Sequence, residues 1–154
     1  MQNDLYPAMY KKILIPLDGS PRAETIFPHA SDIARRYQAR VVLVQVVEAE
    51  IANLSAFDLL PNINADELAQ QVTRAETYLA DVLQRFQAQG IQGETYVKPG
   101  PVVRGILEVA RELDIDLIAM ASHGRTGLSR VFYGSVAAGI LQSIDRPLLL
   151  IRAQ

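Results

Sequence analysis

The sequence predicts an α/β protein built on a doubly wound, Rossmann-like parallel sheet. Three observations predict it. Apolar runs of strand length alternate with helical patterns four times before a final run, an order that requires crossover connections and therefore parallel strands. The runs, such as Ile13-Leu14-Ile15 and Leu117-Ile118-Ala119-Met120-Ala121, are apolar without alternation, as in strands covered on both faces. Turn formers follow two of them, Asp18-Gly19-Ser20 after the first and Ser122-His123-Gly124 after the fourth.

Composition bounds the function. A chain of 154 residues has room for a full core, and residues 1–154 are expected to form one domain. Apolar residues make up 49% and charged residues 21%, which is ordinary for a water-soluble domain. The net charge of -2, with no block of Lys or Arg, argues against nucleic acid as a partner. Cysteine is absent, which excludes disulfides and thiolate chemistry. The stretch from Met1 to Pro7 lacks the basic start and apolar core of a signal peptide, and no apolar run nears the roughly 20 residues of a membrane span. A cytoplasmic protein without a membrane partner is expected.

Lys11 to Leu17 reads as the first strand, with Pro16, which has no N–H for a ladder, at its end. Ser20 suits an N-cap and Pro21 the first helical position. The helix is predicted to reach Tyr37, with Ile26, Phe27, Ala30, Ile33, Ala34 and Tyr37 on one face and a kink at Pro28. Val41 to Val47 is a second strand, interrupted only by Gln45. Glu48 to Asn64 has no clear period and reads either as a flap or as a surface excursion. From Ala65 the apolar residues recur at threes and fours to Phe86, a long helix stopped by Gly90. Glu94 to Lys98 is a short strand, Val102 to Leu113 a helix, and Asp114 and Asp116 read as solvated turn residues. A helix after Ser135 runs to Ser143, and Leu148 to Ile151 is a last strand that Pro147 marks as an edge.

The stretch from Asp116 to Ser135 carries the chemistry. A buried strand feeds a loop rich in glycine and hydroxyl residues, and the loop feeds a helix at Gly134-Ser135-Val136. The first N–H groups of a helix lack intrahelical partners and carry partial positive charge, so they suit an anion. Glycine lets backbone approach a phosphate closely. Ser122, Thr126 and Ser135 add hydroxyl donors, and Arg125 and Arg130 add positive charge. Such glycines also make plain turns, and the residues alone leave both roles open. Asp18 stands just past a buried strand's carboxyl end, where open α/β sheets bind ligands. It is either a turn residue or an acceptor for a sugar hydroxyl or base amine.

At these residues the chain resembles the nucleotide-binding universal stress proteins. Their pattern is a glycine, two residues, a second glycine, nine residues, then glycine followed by Ser or Thr. Gly124 takes the second glycine position, Arg125 to Tyr133 fill the spacer, and Gly134 and Ser135 close it. Ala121 stands where the family has its first glycine, and Gly127 lies within the spacer. The resemblance extends over Ile13 to Ser20, Val41 to Glu48 and the last strand. It implies strand order 3-2-1-4-5 and an adenine nucleotide alpha-hydrolase-like fold. It also implies ATP or another adenine nucleotide as ligand, with Asp18 against the nucleoside, Pro16 and Leu17 beside it, and the backbone of Val46 at the adenine edge. Met120, Ala121, Ser122, His123, Gly124, Arg125, Gly127, Gly134, Ser135 and Val136 would complete the nucleotide site, with main-chain N–H groups between His123 and Val136 turned to the phosphates. A homodimer joined through the last strand, Pro147 to Ile151, is implied as well.

No Walker lysine pattern and no kinase catalytic loop is present, so at most slow ATP hydrolysis is expected. His123 either contacts a phosphate or orders the loop, and His29 reads as structural. With two histidines and no cysteine a zinc site is not expected, whereas Mg held mainly by the phosphates is compatible. The function expected is a nucleotide-binding, stress-response regulator. The alternatives are a dimeric interaction module with a structural loop, and a sensor of AMP or a cyclic nucleotide.

Overall fold

The computed structural model describes residues 8–48, 65–123 and 134–153. Five strands form one sheet: β1 (Lys12–Pro16), β2 (Arg40–Val47), β3 (Gly93–Pro99), β4 (Leu117–His123) and β5 (Leu148–Ala153). Their order is β3-β2-β1-β4-β5, and every pairing is parallel. β1 is central, with Ile13 in register with Val41 on one side and with Leu117 on the other. This is the doubly wound sheet expected from the sequence.

Strand parity divides the core. Ile13, Ile15, Val41, Leu43, Leu117 and Ala119 face one side, against α1 (Phe27–Tyr37) and α2 (Ala65–Gln87). Leu14, Val42, Val44, Ile118 and Met120 face the other, against α3 (Val102–Glu112) and α4 (Ser135–Ser143). Both faces are covered, which explains why the strand runs do not alternate. On α2 the deepest residues are Ala75, Leu79, Val82 and Phe86, the stripe that the periodicity predicts. Gly90, with φ +79, turns the chain after α2 in the left-handed region that glycine enters without strain.

Two expectations are corrected. Pro28 does not kink a continuous helix. A 3-10 turn, Ala23–Ile26, comes first, and Pro28 sits in the opening turn of α1, where its missing N–H costs no helical bond. Ser20 caps the start of this segment, its Oγ accepting the Ala23 N–H at 3.2 Å. Asp116 is not merely a solvated turn residue. One of its carboxylate oxygens accepts the N–H groups of both Lys11 and Lys12 at 2.8 Å, which ties the entry of β1 to that of β4. Arg146 makes a comparable tie at the far side, donating from Nη1 to the carbonyls of Ala110 and Ile115 at 2.6 and 3.0 Å.

Hydrogen bonds to a charged group contribute about 1.5–3 kcal/mol each, less where solvent competes. Because Asp116 is half-buried, Asp116→Ala is expected to lower stability by roughly 2 kcal/mol in urea unfolding. A change within error would mean that the two amides find water equally well.

Candidate nucleotide cleft

The strand order reverses direction between β1 and β4, because the crossovers leaving them go to opposite faces. A crevice opens there, at the carboxyl ends of the strands. Its walls come from several elements. Pro16, Leu17 and Asp18 close β1, Val44 and Val46 end β2, and Met120, Ala121 and Ser122 end β4. Gly134, Ser135 and Val136 begin α4 on the remaining side.

Local chemistry holds each wall. The Leu17 N–H donates to the Val44 carbonyl at 2.8 Å, carrying the β1–β2 ladder one residue past Pro16. The chain then turns at Gly19, whose φ of +81 would strain any residue with a Cβ. Asp18 is exposed at the rim, and its Oδ1 accepts the Ser20 N–H at 2.9 Å. Ser122 is a buried polar residue, only 3% exposed, on a strand in register with Arg152 of β5. Gly134 is the N-cap of α4 and has no side chain to cap it. The first-turn amides of a helix have no partner within the helix, and Ser135 and Val136 of that turn line the cleft.

Most of the lining is apolar. Among the described lining residues, Asp18 carries the one ionisable side chain, and Ser122 and Ser135 carry hydroxyls. An apolar slot with a carboxylate at one end and a helix N-terminus at the other suits an amphiphilic anion. The described residues hold no group of three or more His, Asp or Glu placed to bind a metal.

Of the site residues expected from sequence, Pro16, Leu17, Asp18, Val46, Met120, Ala121, Ser122, Gly134, Ser135 and Val136 all line this one cleft. His123 ends β4, in register with Ala153. Gly124, Arg125 and Gly127 lie outside the described residues. Gly100, between β3 and α3, is not among the lining residues and turns the chain with φ +123. Sequence reasoning missed Ala23, Val44, Val102, Ile106 and Ala137. Val44 was within reach, since it shares a strand face with Val46. Val102 and Ile106 are one turn apart on α3, but only the tertiary packing says which helix face meets the crevice.

The family model for universal stress proteins matches residues 9–152. The chain belongs to the universal stress protein family. It is 32% identical over 146 residues to a universal stress protein of Methanocaldococcus jannaschii, an alignment covering 94% of this chain and 83% of that one. Universal stress protein UspA from Lactobacillus plantarum has the same fold, with a TM-score of 0.77 at 25% identity over 93% of this chain and 98% of that one. A universal stress protein from Archaeoglobus fulgidus, solved in complex with dAMP, has a TM-score of 0.64 at 19% identity, covering 94% and 98%. At that identity the likeness is one of fold.

Behind the Asp18 wall stands a polar clamp that this family member builds from α2. Glu24, on the 3-10 turn, accepts Tyr78 Oη at 3.0 Å and Arg85 Nη1 at 2.9 Å. The Arg85 guanidinium also lies over the Phe27 ring, 4.9 Å from its centre. Burial, the bond to Glu24, and the charges of Glu24 and Asp18 push the Tyr78 phenol well above the ordinary tyrosine range, with Arg85 acting the other way. The folded protein therefore keeps a proton that the unfolded chain releases near pH ~10. The stability this gives is complete below about pH 10 and declines as pH rises further. Tyr78→Phe should unfold with a shallower alkaline pH dependence than the unaltered protein. Equal slopes above about pH 10 would show that Tyr78 titrates normally.

Proposed function

We propose that the cleft holds an adenine nucleotide and that the protein is a nucleotide-responsive regulator in a stress response, acting in the cytoplasm. The observation that carries this is the convergence of the β1 end, with Asp18, and the α4 start, with Gly134 and Ser135, on one crevice. In this reading Asp18 accepts from the ribose or the base. The backbone of Val46 meets the adenine edge, while Pro16 and Leu17 pack on the nucleoside. The phosphates lie against Ala121, Ser122 and the amides of Gly134, Ser135 and Val136, with Gly124 as the second motif glycine and His123, Arg125 and Gly127 beside it in the loop. Mg would be held by the phosphates and not by a cage of side chains. The family resemblance supports one domain over the whole chain and a homodimer through the last strand.

The charges favour this orientation. A carboxylate repels phosphate, so the anionic end of a ligand belongs at the helix N-terminus and its hydroxyl end at Asp18. Nothing among the described lining residues supplies a lysine or arginine to neutralise a transferring phosphoryl group. At most slow hydrolysis is therefore proposed. A monophosphate ligand is the second reading, favoured by the dAMP complex of the Archaeoglobus relative.

Titration calorimetry on protein stripped of carried-over ligand tests both readings. ATP should bind in the micromolar range, and AMP should bind more tightly than ATP only if the second reading holds. Gly134 has φ −52, a conformation open to any residue, so Gly134→Val is expected to fold. Its side chain should nonetheless block the phosphate and weaken binding by more than about tenfold. Absence of heat with every adenine nucleotide would end the proposal.

A further inference from the structure

Gly105 and Gly139 lie outside the cleft, yet each brings two of its walls together. A Cβ built on Gly105 would stand 2.8 and 3.2 Å from the two γ-carbons of Val46. One built on Gly139 would stand 2.7 and 3.3 Å from those of Val103. Carbon atoms pack best at roughly 3.5–4.0 Å, so neither methyl fits without movement. Both γ-carbons of each valine face the glycine. Turning χ1 by one staggered step therefore leaves a methyl in the way, and valine is stiff at that torsion in any case.

The two contacts form a series. Gly105 lets α3 lie against the end of β2 at Val46, and Gly139 lets α4 lie against α3 at Val103. The ends of the series are opposing cleft walls: Val46 on β2, and Gly134, Ser135 and Val136 at the start of α4. Val102 and Ile106, which flank these contacts on α3, line the crevice between them. A close-packed interior passes such a displacement on instead of absorbing it.

We propose that these two glycine–valine contacts set the width of the nucleotide cleft, making Gly105 and Gly139 positioning residues for a ligand they do not touch. The proposal rests on the nucleotide reading given above. A methyl at Gly139 moves α4 away from α3 and carries the amides of Ser135 and Val136 out of reach of the phosphates. A methyl at Gly105 moves α3, or turns Val46, at the nucleoside end.

The test is a double-mutant cycle of Gly139→Ala and Val103→Ala, read by calorimetry with ATP and AMP alongside thermal unfolding. Neither position lines the cleft. Alanine is the better helix former, so thermal stability and affinity report separate effects. Gly139→Ala is expected to weaken binding by about tenfold while remaining folded, and adding Val103→Ala should restore the affinity to within about threefold of Val103→Ala alone. Should Gly139→Ala fail to fold, Gly105→Ala against the unaltered protein, and Gly105→Ala with Val46→Ala against Val46→Ala alone, make the same measurement at the other contact. A loss in the first comparison that vanishes in the second is expected there, and no loss in the first overturns the proposal. Undiminished affinity in Gly139→Ala, or a double variant as weak as the single, overturns the proposal while leaving the nucleotide reading intact. An unaltered protein that binds no adenine nucleotide ends the nucleotide reading itself.

Discussion

β1 is the strand on which the other elements depend. It is hydrogen-bonded in parallel to β2 on one side and β4 on the other, and both of its faces are buried. Parallel pairing forces each connection to cross over the sheet. Right-handed crossovers then place α1 and α2 on one face and α3 and α4 on the other. The reversal between β1 and β4 follows, and a crevice at that reversal is a geometric consequence of it. Asp116 reinforces the same point from beneath, since one carboxylate oxygen holds the amides that lead into β1.

The two sides of the crevice are built differently. The β1 side is fastened by polar contacts: Ser20 N–H to Asp18, Ala23 N–H to Ser20, and Tyr78 Oη and Arg85 Nη1 of α2 to Glu24. The α4 side is held by packing, through Val103 and Gly139, and its N-cap, Gly134, has no side chain to cap with. This division suits the chemistry proposed for each. A group that accepts hydrogen bonds needs a fixed direction, and directional bonds supply it. A set of backbone donors needs its amides left unengaged, and apolar packing holds the helix without competing for them.

The slot is mostly apolar, lined by Val44, Val46, Val102, Ile106 and Met120, with Asp18, Ser122 and Ser135 as its polar side chains. Ala121, where the family motif begins with glycine, lines the same slot. Its single methyl is the smallest addition that the backbone there has to accommodate.

By itself the sequence determined the element order, the both-faces-buried strands, the helix stripe on α2 and the positions where the chain turns at Gly19 and Gly90. These follow from local rules: period, apolar runs and the conformations open only to glycine. It also marked Asp18, Ser122 and Gly134 to Val136 as places for chemistry, because strand ends and helix starts carry their own unpaired groups. Tertiary structure alone decided the rest. Whether Pro28 kinks a helix or opens one depends on the 3-10 turn before it. Asp116 looked like a solvated turn residue because its partners are backbone groups far away in sequence. Val102 and Ile106 became walls, and Gly105 and Gly139 spacers, through contacts with β2 and α3 that no local pattern records. Periodicity states that a helix has an apolar face; only packing states what that face meets.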